Sequence, residues 1–182
     1  MLAAGVDPGK AGGIVVLDDV GRIVSAQPML VITAKAGKGR AEYDLEGIRR
    51  MLMARPRLRG RCRWSPRTLL VIVERAQPLP PSMPGGGVAQ FHRGVSRGMW
   101  EGMLAGLGIS YELVAPQSWQ RSMLAGTSGA DTKQRALVAA QRLWPGQDWR
   151  ANERCRKPHA GIVDAALIGE FGRRRRAGAD AA

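Results

Sequence analysis

Two short apolar runs, each followed directly by a carboxylate, limit most strongly the folds that this chain can adopt. Residues 2–6 read LAAGV and end at Asp7, while residues 68–73 read TLLVIV and end at Glu74. Apolar runs of this length are typical of strands that are buried on both faces of an α/β sheet. A single strand-end acid often only faces solvent, but two acids on neighbouring strands indicate a shared site. The pattern therefore predicts a sheet with paired carboxylates at the ends of its central strands.

The segments around these runs predict the surrounding architecture. Residues 2–6, 13–17 and 22–26 are separated by short turns, which predicts an antiparallel meander of strands. Asp44 is placed to cap a helix whose apolar face holds Leu45, Ile48 and Leu52. Together with the later elements, this order predicts an α/β domain with a mixed sheet flanked by helices.

A long helix is predicted over residues 88–107. Its glycines Gly94, Gly98 and Gly102 recur every four residues, which permits close packing against another backbone. The predicted apolar stripe of this helix comprises Val88, Phe91, Val95, Met99, Met103 and Leu107. Downstream, the sequence predicts a strand over residues 109–114 and helices over residues 116–124, 132–143 and 158–172.

The length and charge of the chain limit the classes of partner that it can bind. A chain of 182 residues fits one domain with a buried core, and 28 Lys and Arg against 15 Asp and Glu give a net charge of +13. That charge favours a polyanion, most simply nucleic acid. An anionic membrane is the alternative, but the sequence has no apolar run of about 18 residues. We expect no signal peptide, no C-x-x-C metal site from Cys62 and Cys155, and a reducing cytoplasmic setting.

A third carboxylate lies within an apolar helix pattern. Asp164 is flanked by Ile162 and Val163 on one side and by AALI on the other. Burying an aspartate there is costly unless it is paired or binds a metal; the alternative is that Asp164 lies on a solvated edge. Three carboxylates without a histidine–cysteine cluster suit Mg²⁺ or Mn²⁺. Two such ions about 4 Å apart can drive phosphodiester hydrolysis, so a basic chain with these acids predicts a nuclease.

The order of several motifs resembles the RuvC-like Holliday junction resolvases. GVDPG at residues 5–9, followed by Gly12 and Gly13, is similar to their opening motif, and VIVE at 71–74 to their second catalytic strand. APQSW at 115–119 and Lys133 resemble two later family features. The stretch from KPH at 157–159 through DAALI at 164–168 to FG at 171–172 looks like the last catalytic helix. The resemblance covers about residues 3–172 and is nearest to plant chloroplast resolvases and their bacterial and phage relatives.

The resemblance implies an RNase H-like domain over residues 1–172, followed by a basic, flexible C-terminal tail over 173–182. It implies a homodimer that binds a four-way DNA junction and nicks two strands symmetrically, with no membrane partner and no small-molecule cofactor. Asp7, Glu74 and Asp164 would be catalytic metal ligands in a two-metal Mg²⁺ site that Mn²⁺ can also fill. Lys157 would point toward the scissile phosphate, unless it is only solvated.

The same resemblance, with the basic charge, indicates where DNA would be contacted. Phe91 either stacks on an unpaired base or, as its place on the apolar stripe favours, packs in the core. The arginines between Arg55 and Arg67 contact phosphate or are solvated. The candidate DNA contacts are Gln77, Met83, Gly85, Gly86, Gln90, Phe91, His92, Arg121, Lys133, Arg173 and Arg174.

One position departs from the family pattern. The family has a fourth acid about one turn before the position of Asp164, where this chain reads His159-Ala160-Gly161. An acid at position 160 would share a helix face with Asp164, but Ala160 has no ligating atom. Either His159 replaces the missing ligand, or position 160 carries an engineered Asp→Ala substitution, which we favour. His159 alternatively protonates the leaving group or contacts phosphate.

Three other functions compete with a junction resolvase. A nuclease of the same fold could act on flaps, replication forks or RNA–DNA hybrids. Ala160 also favours a junction-binding protein that does not cut. An actin-like ATPase shares the Asp-x-Gly strand and turn, but it needs a second glycine-rich phosphate loop and usually a longer chain, so we discount it.

Overall fold

The computed structural model describes residues 2–33, 41–54, 65–75 and 86–178. Its strands are β1 (Leu2–Asp7), β2 (Gly13–Leu17), β3 (Ile23–Pro28), β4 (Val31–Ile32), β5 (Glu42–Tyr43), β6 (Leu69–Glu74) and β7 (Ser110–Val114). Its helices are α1 (Leu45–Met53), α2 (Gly86–Gly106), α3 (Pro116–Met123), α4 (Thr132–Leu143) and α5 (Ala160–Arg176), with a 3₁₀ turn at Pro66–Thr68.

The main sheet has the strand order β3-β2-β1-β6-β7. Strand β1 pairs antiparallel with β2, and β2 antiparallel with β3, so the predicted meander is confirmed. Strand β1 pairs parallel with β6 in a register that sets Val6 opposite Val73, and β6 pairs parallel with β7. The mixed α/β sheet predicted from the sequence is therefore confirmed. Because β1 and β6 run in the same direction, the acids that follow Val6 and Val73 lie at the same end of the sheet.

Helices cover both faces of this sheet. One apolar cluster joins the sheet to α3, α4 and α5, and it includes Ile72, Trp119 and Ala166. The other joins the opposite face to α1 and α2, and it includes Ile48 and Trp100. Alternate residues of β6 enter the two clusters, which explains why this strand is apolar on both faces.

Helix α5 lies directly on the backbone of the first two strands. A Cβ built on Gly5 would lie 1.9 Å from the carbonyl oxygen of Ala165, and one on Gly161 would lie 2.5 Å from the Cα of Gly12. These glycines let helix and sheet approach more closely than side chains permit. This contact sets the distance between α5 and β1, and it therefore sets the position of the Asp164 side chain.

The predicted apolar stripe of α2 is wrong over its first half. Val88, Phe91 and Val95 are 61%, 67% and 46% exposed, whereas Ser96, Trp100 and Leu104 are buried against the sheet. The residues of α2 that face the sheet each follow a predicted stripe residue by one position. This shift buries a serine and leaves apolar residues exposed. The predicted core packing of Phe91 is wrong for the same reason. Among the described residues, nothing lies within 4 Å of a Cβ built on Gly94, Gly98 or Gly102.

Two further differences concern helix faces and ends. Leu45 is half exposed, whereas Ile48 and Leu52 of α1 are buried. Helix α5 extends to Arg176 instead of ending at Gly172, so the arginines that we assigned to a flexible tail are helical. None of the helices in the described ranges is long and apolar enough to span a bilayer.

Candidate active site

The three acids predicted from the sequence come from three elements that meet at one end of the sheet. Asp7 and Glu74 are the last residues of β1 and β6, and Asp164 projects from α5, which packs on β1. All three side chains are half-buried. Each acid is close enough to influence another electrostatically, because Asp7 raises the pKa of Glu74, and both raise the pKa of Asp164.

Burial is the main influence on all three carboxyl groups. Burial raises the pKa of Asp7, while the Gly9 backbone N–H, which donates to Oδ1 at 3.3 Å, and the nearby His159 oppose this. Burial also raises the pKa of Glu74, against a hydrogen bond from Trp119. For Asp164, burial followed by repulsion from the other two acids raises the pKa to about 7, and Lys133 opposes it. The site therefore concentrates negative charge in a poorly solvated place.

This donor set fits a divalent cation. Carboxylate oxygens are the ligands that Mg²⁺ and Mn²⁺ prefer, and a cation would relieve the repulsion that raises these pKa values. Within the described ranges, no three acidic, histidine or cysteine side chains already have the spacing of a formed metal site. Side-chain adjustment around Asp7, Glu74 and Asp164 would therefore accompany binding.

The raised pKa of Asp164 predicts a pH-dependent stability of the metal-free protein. The folded chain holds a proton up to about pH 7, whereas an ordinary aspartate loses it near 3.8, so this group destabilises the fold as the pH rises between those values. The Asp164→Asn variant should therefore gain stability over the parent as the pH rises from about 4 to about 7. Thermal melts without metal across this range test it, with the exposed Asp19→Asn as the matched control. Equal gains for both variants, or a gain that does not grow with pH, would contradict the prediction.

His159 caps helix α5. Its Nδ1 accepts the backbone N–H of Ile162 at 3.3 Å, and its own backbone N–H donates to the carbonyl of Trp149 at 2.7 Å. A neutral imidazole whose Nδ1 accepts a hydrogen bond carries its proton on Nε2. In this arrangement His159 presents a donor, which suits contact with phosphate or a leaving oxygen better than metal ligation. Ala160 begins α5, one turn before Asp164, and Lys157 is exposed just ahead of it.

Two hydroxyl groups hold the turn that follows Asp7. The Pro8 carbonyl accepts hydrogen bonds from Tyr43 Oη at 2.8 Å and from Ser96 Oγ at 2.7 Å. Tyr43 comes from β5 and the buried Ser96 from α2, so both elements are tied to the Asp7 turn. This explains why α2 buries a serine, which the apolar pattern did not predict.

A cleft of about 740 Å³ opens beside Asp7 and Glu74. Its wall toward β5 carries Lys10, whose ammonium lies 5.6 Å from the centre of the Tyr43 ring and 3.7 Å from Glu42. Its opposite wall is formed by α2 and includes His92 and Arg93. The positive charge of Arg93 also lowers the pKa of Glu74. Cationic groups therefore stand on both sides of the route to the acids.

The predicted DNA contacts are distributed unevenly around this cleft. Phe91 and His92 are exposed on the first turns of α2, with ring centres 5.7 Å apart, and Gln90 precedes them. Gly86 is the first residue of α2. Arg121 is exposed on α3, and Lys133, also exposed, lies near enough to influence Asp164. Gln77, Met83, Gly85 and most of the Arg55–Arg67 segment lie outside the described residues.

Arg173 and Arg174 lie on the far part of α5. Arg173 is about 13 Å along the helix axis from Asp164. Both arginines pair with the buried Glu170, at 2.6 and 2.7 Å. The same guanidinium of Arg173 also donates to the backbone of Asp19. These bonds give the two arginines a structural role, and a role in DNA contact stays a prediction.

Sequence reasoning missed four residues at the site: Trp119, Tyr43, Ser96 and Arg93. The APQSW motif singled out Trp119 as part of a pattern without a role. In the structure its indole Nε1 donates to Glu74 Oε2 at 2.7 Å. Ser96 could have been recognised as a serine on the buried, apolar face of a helix. That recognition requires knowing which face of α2 meets the sheet.

Comparisons with known proteins bear on the fold of the chain. No family model matches the chain. Over 91 residues, half of this chain, the sequence is 35% identical to a Chlamydomonas reinhardtii protein described as chloroplastic Holliday junction resolvase MOC1. The chain spans about a tenth of the length of that relative.

A solved structure described as Thermus thermophilus RuvC in complex with Holliday junction substrate aligns over 98% of both chains. Its sequence identity is 14% and its TM-score is 0.53. A second structure of Thermus thermophilus RuvC aligns over the same share of both chains, with 16% identity and a TM-score of 0.46. The first of these two structures shows that the chain has the RNase H-like fold of RuvC, as its motifs predicted.

Proposed function

We propose that this protein is a metal-dependent endonuclease that recognises four-way DNA junctions and resolves them by paired, symmetric nicks. The convergence of Asp7, Glu74 and Asp164 at one end of the sheet carries the proposal, because three neighbouring carboxylates are a donor set that suits a divalent cation. The RuvC-like fold and the partial similarity to a chloroplastic resolvase support the choice of substrate. A homodimer accounts for symmetric nicks, since a two-fold assembly presents two equivalent sites.

Different residues of the chain would bind the metal, attract the DNA backbone and donate a hydrogen bond at the reacting phosphate. Asp7, Glu74 and Asp164 would hold Mg²⁺, or Mn²⁺ in its place, and bound divalent ions would activate water and stabilise the leaving oxygen. Arg93 and Lys10 line the cleft beside them and attract the phosphate backbone. His159 presents an Nε2–H donor at the start of α5, where it can donate a hydrogen bond to a phosphate oxygen or to the leaving oxygen.

A panel of DNA substrates tests the proposal. The protein is incubated with a four-way junction, a flap, an RNA–DNA hybrid and a linear duplex, with Mg²⁺ or with a chelator. We expect tight binding of the junction and Mg²⁺-dependent nicks in the junction alone. Cutting of the flap or hybrid would instead favour another nuclease of this fold, and indifference to DNA shape would refute junction recognition.

A protein that binds junctions without cutting them is the second candidate. Ala160 favours it, because this residue stands on the face of α5 that carries Asp164 and supplies no ligand. Shape-selective binding without nicks, in Mg²⁺ and in Mn²⁺, is the outcome that would establish this second function.

Restoring an acid at this position should raise activity. The Ala160→Asp variant places a carboxylate one helical turn before Asp164, where the two can share a cation. We expect Mg²⁺-dependent junction cleavage to rise at least about tenfold in single-turnover assays. Ala160→Asn is the matched control, because it adds a side chain of the same size without the charge. An equal rise in cleavage by both variants, or no rise in either, would contradict the prediction that an acid belongs at position 160.

A further inference from the structure

We propose that Trp119 is a positioning residue that orients the Glu74 carboxylate for the cation. This inference rests on the proposed metal-dependent function. Its starting observation is the hydrogen bond from indole Nε1 to Glu74 Oε2 at 2.7 Å, made by a side chain that is only 1% exposed. Trp119 would act through Glu74 and would not itself contact DNA or metal.

The fold brings the indole to this place from a separate element. Strand β7 pairs with β6 so that Val114 lies opposite Glu74, and α3 starts at Pro116, directly after β7. The Arg75 N–H also donates to the Val114 carbonyl at 2.7 Å, which extends the pairing past the acid. Trp119 on α3 therefore reaches the end of β6 from a backbone that is itself anchored beside Glu74.

Packing keeps the donor in place. The indole lies in the apolar cluster that includes Ile72, Val114 and Ala140. A tryptophan has only two side-chain torsions, and a close-packed surrounding restricts both. The N–H therefore stays aimed at Oε2 whether or not a cation is bound.

An indole is chemically suited to this task. It donates one hydrogen bond and accepts none, so its only polar contact fixes the acceptor. It carries no charge, so it orients the carboxylate without neutralising it, as a lysine or arginine partner would. The indole holds Oε2, and Oε1 is the oxygen that a ligand would use, which is how partners of metal-ligating groups preorganise a site.

The other indoles in the described ranges do not have this arrangement, which makes them controls. Trp100 Nε1 and Trp149 Nε1 have no hydrogen-bond partner in the described part of the chain, and Trp144 Nε1 donates to the Gly21 carbonyl at 2.7 Å. Trp100 is as deeply buried as Trp119 but belongs to the cluster on the opposite face of the sheet. Replacing it perturbs the core without removing a hydrogen bond to an acid.

The test measures Mn²⁺ binding to the full chain without DNA, by calorimetry and by the electron paramagnetic resonance signal of free Mn²⁺. We expect Trp119→Phe to weaken binding about tenfold, and the matched Trp100→Phe to leave it unchanged. In single-turnover junction cleavage, the loss in Trp119→Phe should be recovered largely by raising the Mn²⁺ concentration. Unchanged Mn²⁺ affinity in a folded Trp119→Phe variant would overturn the proposal.

A second variant provides the test if Trp119→Phe does not fold. Replacing Trp119 with 3-benzothienylalanine keeps the bicyclic shape and removes only the N–H donor. Weakened Mn²⁺ binding in this variant supports positioning by the hydrogen bond, and parent-like binding overturns it. Because these readouts need no DNA, they stand apart from the substrate panel: a parent that binds Mn²⁺ through Glu74 but ignores junctions would refute the proposed function and leave the role of Trp119 standing.

Discussion

The Asp7→Asn variant should lose junction cleavage by about a thousandfold or more, which corresponds to a barrier higher by about 4 kcal/mol, and still bind the junction. Asp7 ends the central strand and repels both other acids, so it stands at the centre of the predicted cation site. An amide has the shape of the carboxylate but lacks its charge. Removing a negative charge near phosphates also favours DNA, so binding should be unchanged or tighter.

The measurement pairs single-turnover cleavage with an equilibrium binding titration. It is made in the parent chain and in the Ala160→Asp background, so that a weak parent activity does not hide the loss. Asp19→Asn is the matched control, because Asp19 is exposed at the β2–β3 turn. Cleavage by Asp7→Asn within about tenfold of its background would show that the metal site lies elsewhere.

The Gly5→Ala variant should lose more than about 4 kcal/mol of its free energy of unfolding, and it is expected to accumulate as unfolded chain. The added methyl carbon would lie 1.9 Å from the Ala165 carbonyl oxygen and 2.3 Å from the Gly169 nitrogen. Both are backbone atoms, so neither can rotate away. The strand or α5 would have to move, and with it Asp164.

Gly98→Ala provides the matched control for Gly5→Ala. Nothing described lies within 4 Å of a Cβ at Gly98, which is exposed within α2. The same added methyl group should stabilise the helix there, by up to about 1 kcal/mol. Denaturant titrations followed by circular dichroism compare the two. Similar unfolding midpoints for Gly5→Ala and the parent would contradict the close packing of α5 on β1.

Local signals in the sequence predicted most of the elements. Asp44 caps α1 by accepting from the N–H three residues later, as its position before an apolar-periodic segment indicated, and Asp131 caps α4 in the same way. The apolar runs predicted β1 and β6, because a strand that is buried on both faces is apolar throughout. These features are encoded within a few residues of where they act.

Features that depend on tertiary contact were not predictable in this way. The phase of α2 was wrong because the sheet selects Ser96 and Trp100, while Phe91 stays outside, and apolarity alone does not show which face meets the sheet. At the site, Asp164 was recognisable because an acid among apolar neighbours is costly. The donor from Trp119 was not, since Trp119 and Glu74 are 45 residues apart and meet only through the β6–β7 pairing.

The positions of the nicks test the central claim most directly. Each of the four strands of a synthetic junction is labelled in turn, and the products of the Ala160→Asp variant in Mg²⁺ are mapped on a denaturing gel. We predict nicks in two strands of the same polarity, at the same distance from the crossover, and none in a linear duplex of the same sequence. Nicks of equal strength in the linear duplex, or unpaired nicks scattered along the junction arms, would contradict a junction resolvase.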